Sequence, residues 1–133
     1  MSLTTCLIVM LGGALGTLAR YLIGLAALPI SQDLPWGTII INILGSFIIG
    51  FFGTMTLAHG RYPVPENLRL FVMIGICGGF TTFSSFSLQT LNLATDREYL
   101  YAGLNILLSV ALCLLAVWLG SILAAGLNTL KWV

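Results

Sequence analysis

Apolar residues run through this chain in four long blocks, at about 4–28, 36–57, 68–93 and 99–127. Each is as long as the roughly 20 residues that a helix needs to cross bilayer hydrocarbon, or longer. The stretches between them, Pro29 to Pro35, His59 to Glu66 and Ala94 to Glu98, collect proline, glycine and charge, the residues that end helices. The pattern predicts a single all-α membrane domain over residues 1–133 with four transmembrane helices. No Lys or Arg precedes the first block and its pattern continues past Arg20, so it is expected to stay in the mature protein and not to act as a cleaved signal.

Composition supports lipid as the solvent. The chain is 59% hydrophobic and 7% charged, too few ionic groups to coat a water-soluble domain of 133 residues. A net charge of +1 gives no footprint for nucleic acid. Cys6, Cys77 and Cys113 lack the paired spacing of a zinc site and read as small hydrophobes. His59 reads as an interfacial loop residue, and Asp33 and Asp96-Arg97-Glu98 as solvated charges. Four spans put both termini and the second loop on one side, with Arg61, Arg69 and Lys131, against Arg97 and a share of Arg20 on the other. That basic bias hardly selects an orientation. The consequence expected is insertion both ways round and assembly as an antiparallel, dual-topology homodimer.

Every carboxylate (Asp33, Glu66, Asp96, Glu98) lies in or beside a connection, so no span carries the acid of a proton relay. No base stands near a nucleophile within the spans, which argues against an enzyme. Arg20 is the one strongly embedded charge, and two readings of it stand: a side chain snorkelling to the interface, or a vestibule made attractive to anions. Thr38 and Asn42 are four apart, as are Tyr101, Asn105 and Ser109, and each set makes a polar stripe on one helical face. Such stripes either bond helix to helix or line a pathway whose hydroxyls and amides donate to a dehydrated anion. Small residues at four-residue spacing, Gly12 with Gly16, Ser46 with Gly50 and Gly75 with Gly79, read as helix-packing positions.

The segment Gly78-Gly79-Phe80-Thr81-Thr82-Phe83-Ser84-Ser85-Phe86 is a poor helix interior, and it predicts a third helix broken near its middle, unwound around Gly78 to Thr81. Non-helical backbone at membrane depth persists only where something satisfies it. A packing kink does so, and so does a hard cation such as Na⁺ held by carbonyl oxygens. Phe83 and Phe86 share a face if helix resumes beyond the break, and an aromatic edge turned to a pathway favours an anion.

That segment resembles the third-helix motif of the Fluc fluoride channels, also called the CrcB family. Gly12-Gly13-Ala14-Leu15-Gly16-Thr17-Leu18-Ala19-Arg20-Tyr21 and Gly37-Thr38-Ile39-Ile40-Ile41-Asn42-Ile43-Leu44-Gly45-Ser46-Phe47 look like its first- and second-helix signatures, so the resemblance covers essentially the whole chain. It implies a passive fluoride channel in the bacterial cytoplasmic (inner) membrane that exports fluoride and relieves its toxicity. It also implies a dual-topology homodimer with a structural, untransported sodium ion on the carbonyls of Gly78 and Thr81 from both subunits. Phe83, Phe86 and Asn42 would line the fluoride pathway with Thr82, Ser84, Tyr101 and Ser109, and Arg20 would belong to the vestibule. Related sequences often have Ser-Thr-Phe where this one has Ser84-Ser85-Phe86, a change that keeps the hydroxyl. The rivals are a small proton-coupled multidrug exporter, which needs an intramembrane glutamate absent here, and a non-transporting membrane assembly subunit.

Overall fold

The structure is a computed structural model and describes residues 2–57 and 62–129. His59, read above as an interfacial loop residue, and Arg61 and Lys131, which entered the charge comparison, lie outside the described residues.

Helix α1 (Leu3–Ala26) starts at Ser2, whose Oγ accepts the Thr5 amide at 3.3 Å, one of the orphan donors of a first turn. It ends ahead of Pro29, which sits in a short 3₁₀ turn (Leu28–Ile30). Proline disfavours α geometry in the residue before it, so the helix stops short of the expected residue 28. Helix α2 (Trp36–Met55) follows Pro35. The third span, Glu66–Thr95, is composite: α3 (Glu66–Arg69), a π-helical stretch (Leu70–Ile76), α4 (Cys77–Phe80) and α5 (Phe83–Thr95). After a turn in which Arg97 adopts a φ of 65°, helix α6 (Tyr99–Thr129) runs to the end of the described chain. Among the described residues four helices are thus long and apolar enough to cross a membrane, with ends within about two residues of those read from the sequence. Leucines and isoleucines stand exposed along all four, as side chains solvated by lipid must.

Two seams hold the bundle: α1 lies on the π stretch and α4, and α2 lies on α6. Lipid tails are as apolar as leucine, so burial does not drive these contacts, and close backbone approach must. A Cβ on Gly16 would collide with the Ile76 carbonyl, and one on Gly79 with the Gly13 carbonyl. Across the second seam, Gly50 meets Val117 and Gly120 meets Phe47 in the same way. The glycines expected to pack helices therefore do so, while Ser46, the remaining member of those pairs, faces a cavity. Arg69 ties the start of the third span to the end of α2: its Nη1 donates to the Thr56 carbonyl and Oγ1, both at 2.7 Å, and to the Gly53 carbonyl at 3.3 Å. A cation there also complements the negative C-terminal end of α2.

The break in the third span is displaced from where the glycines put it. Gly78 and Gly79 are still helical, and the chain becomes extended at Thr81 (φ −78°, ψ 157°) and Thr82 (φ −152°, ψ 98°). Gly79 is needed for the approach to α1 and not for unwinding. What opens the helix is a side chain forty residues away.

Candidate functional site

Asn42, in the middle of α2, makes a reciprocal pair with the opened backbone. The Thr82 amide donates to its Oδ1 at 2.7 Å, and its Nδ2 donates to the Thr82 carbonyl at 3.2 Å. The amide that would have closed a helical turn onto the Gly78 carbonyl is thereby turned to α2. Helix restarts at once, because Thr82 caps α5 with its Oγ1, which accepts the Ser85 amide at 3.3 Å. At membrane depth the break therefore sets two unlike ends side by side: the carbonyl end of α4, with negative potential, and the amide end of α5, with positive potential.

A hollow of about 390 Å³ lies beside this break, walled by the middles of α2 and α6 and by the third span. Asn42, Ser46, Thr81 and Ser109 supply its polar groups, Phe83 and Phe86 its rings, and Gly78 part of its backbone. Among the described residues, no Asp, Glu, Lys, Arg or His lines it. The two rings touch, with centroids 5.2 Å apart and planes inclined by 52°. Phe86 is buried, whereas Phe83 is 76% exposed at the side of the chain. Met73, Cys77 and Cys113 also line this hollow, and no sequence pattern singled them out.

A second hollow of about 540 Å³ opens at the α1–α2 and α5–α6 connections. Arg20 lines it, with Thr38, Ser31 and, from α5, Thr82, Ser85, Gln89, Asn92 and Asp96. The α5 residues follow steps of three, four, three and four, a polar stripe that runs down one face from the connection to the break. That spacing is legible in the sequence, and it marks Gln89 and Asn92 as wall residues. Arg20 Nε and Gln89 Oε1, one donor and one acceptor, are both buried without a hydrogen-bond partner. Arg20 lies six residues, or about 9 Å, inside the end of α1 and lines the hollow. Asn42 lines the first hollow and Thr82 the second, so their mutual bond stands in the partition between them.

The sequence-predicted residues divide accordingly. Gly78, Thr81, Asn42, Phe83, Phe86 and Ser109 meet at the central hollow, and Arg20 and Thr82 at the outer one. Ser84 and Tyr101 line neither; Ser84 Oγ lies 3.4 Å from Thr82 Oγ1. The α6 stripe serves in part to bond helices. Asn105, fully buried, donates to Thr90 Oγ1 at 2.8 Å and accepts from Ser109 Oγ at 3.4 Å.

Comparison with known proteins bears on this arrangement. Residues 7–121 match the family model described as CrcB-like protein, Camphor Resistance (CrcB). A protein of Gluconobacter oxydans is 68% identical over 130 residues, 97% of this chain and 90% of its own. One from Methylobacterium radiotolerans is 66% identical over 128 residues, 96% and 90% of the two chains. A third, from Methylocella silvestris, is 58% identical over 124 residues, 92% and 95%. All three carry the name Fluoride-specific ion channel FluC. With a family model that spans both helix seams, the break and both hollows, this multi-pass membrane chain belongs to the CrcB family.

Proposed function

We propose that the chain is the subunit of a passive fluoride-selective channel in a bacterial cytoplasmic membrane, built as an antiparallel, dual-topology homodimer. The observation that carries the reading is the central hollow: it lies midway along the four spans, no charged side chain among the described residues lines it, and it offers amide, hydroxyl and ring-edge donors beside the amide end of a broken helix. Such groups replace the water of a small hard anion without trapping it by a full opposite charge. The substrate is taken from the name of the relatives. Arg20 supports the same direction of selectivity, since an embedded guanidinium with a free buried donor raises the local concentration of anions. A proton-coupled exporter is disfavoured, because among the described residues no carboxylate or histidine faces the central hollow.

Acid chemistry explains the use. HF is neutral, crosses lipid from an acidic exterior and ionises inside, where the anion is held. An anion leak then exports it, since a negative-inside potential drives a unit charge out at about 2.3 kcal/mol per 100 mV. No proton need cross with it.

Two features support a second copy. Gly78, Phe83 and Ser84 are exposed near the middle of the third span, and a face with bare backbone and hydroxyls is costly against lipid. The carbonyl ends there also suit the proposed structural sodium ion. The Gly78 carbonyl has lost the Thr82 amide, and the space beyond Gly78 is open, so that even a Cβ would meet nothing within 4 Å. Carbonyls of Gly78 and Thr81 from both copies would hold the ion, which supplies positive charge to dipoles left unpaired by the break. Fluoride-electrode recording of efflux from proteoliposomes tests the function: fluoride should leave and chloride should stay. Absence of fluoride flux from a folded dimer would favour a non-transporting assembly subunit.

A further inference from the structure

From the lining of the outer hollow, we propose that Asp33 and Asp96 form a negative rim that throttles anion access, a brake set against Arg20 below it. The proposal rests on the channel reading above. Both carboxylates line the hollow that holds Arg20, one from the α1–α2 connection and one from the end of α5. Both side chains are exposed to solvent, so they act as charges standing in the mouth and not as partners of the guanidinium. Their neighbours Arg97 and Glu98 belong to the same turn but do not line the hollow. A mouth with low-dielectric walls focuses the field of such charges onto a passing ion. Two negative charges there lower the local fluoride concentration while the deeper Arg20 raises it, and the balance sets uptake into the pathway. In an antiparallel dimer each membrane side would present such a rim.

The effect must be electrostatic, which makes it separable from any change of shape. For charges about 10 Å from the ion's path in high dielectric, neutralising both should raise fluoride flux about threefold near 10 mM ionic strength. The gain should fall to about 1.5-fold near 150 mM and vanish near 1 M, as the screening length shrinks from about 30 Å to 8 Å and 3 Å. The experiment compares wild type, Asp33→Asn/Asp96→Asn and Glu98→Gln in proteoliposomes, with fluoride below saturation and ionic strength raised by an impermeant salt. Size-exclusion profiles identify any variant that has lost its assembly. Flux of the double variant above wild type at low salt, converging at high salt, with a smaller gain in Glu98→Gln, would bear the proposal out. A salt-independent ratio, an equal gain in Glu98→Gln, or a charge-reversed Asp33→Lys/Asp96→Lys no faster than wild type would overturn it. Loss of fluoride flux in wild type itself would instead overturn the channel reading on which it stands.

Discussion

Replacing Asn42 by alanine removes the side chain that holds the third span open, and the cost can be worked from its two bonds. An ordinary interhelical hydrogen bond in a membrane is worth only about 0.6 kcal/mol, because the separated helices find other partners. Here the deletion leaves the amide and the carbonyl of Thr82 unpaired at once, in a residue that is 8% exposed. A buried orphan of this kind costs about 1 to 3 kcal/mol, so the two together should make Asn42→Ala lose about 2 to 6 kcal/mol. The assay is unfolding in mixed micelles followed by circular dichroism, with Asn42→Asp as the companion. Aspartate keeps the acceptor for the Thr82 amide but sets a carboxylate oxygen against the Thr82 carbonyl, so it should fall between wild type and alanine. A loss for Asn42→Ala no larger than about 0.6 kcal/mol would refute the reasoning, since it would mean that the opened backbone is satisfied without Asn42.

Other consequences follow from the same structure. Gly16→Ala should destabilise by about 1 to 3 kcal/mol, because its Cβ would meet the Ile76 carbonyl. Gly103→Ala, with open space around it in α6, should be neutral or gain up to about 1 kcal/mol in the same unfolding assay. Arg69→Gln should cost about 1.5 to 3 kcal/mol by removing a charged donor from Thr56 and Gly53, read by the same denaturation curve. Under the proposed function, Phe83→Ile or Phe86→Ile should slow fluoride efflux while leaving the proposed dimer intact. If a ring edge contributes about 1 kcal/mol at the barrier, the loss is roughly fivefold, and unchanged flux in both variants would remove the rings from the pathway. Sodium should raise the stability of the assembled dimer, and a sodium current accompanying fluoride would contradict a structural role.

The spans were legible because lipid imposes a simple rule on composition, and Pro29, Pro35 and Pro65 mark helix ends that the structure keeps close by. Gly78-Gly79 announced a break but misplaced its start. Composition cannot tell a glycine that unwinds a helix from one that admits a neighbouring backbone, and Gly79 is the second kind. The Asn42–Thr82 pair joins residues forty apart, a register set only when α2 docks on the third span. The π-helical stretch Leu70–Ile76 is hidden for another reason: its uniformly apolar residues fit π and α turns alike. By contrast, the α5 stripe through Gln89 and Asn92 is written plainly in the spacing, and only its sharing a hollow with Arg20 needed the fold.

The central claim is best tested by the reversal potential of single dimers in a planar bilayer under a fluoride gradient. A passive fluoride-selective pathway predicts a shift of about 59 mV per tenfold gradient, unmoved by replacing chloride or by imposing a proton gradient. A reversal potential that follows chloride, or that moves with pH, would contradict it.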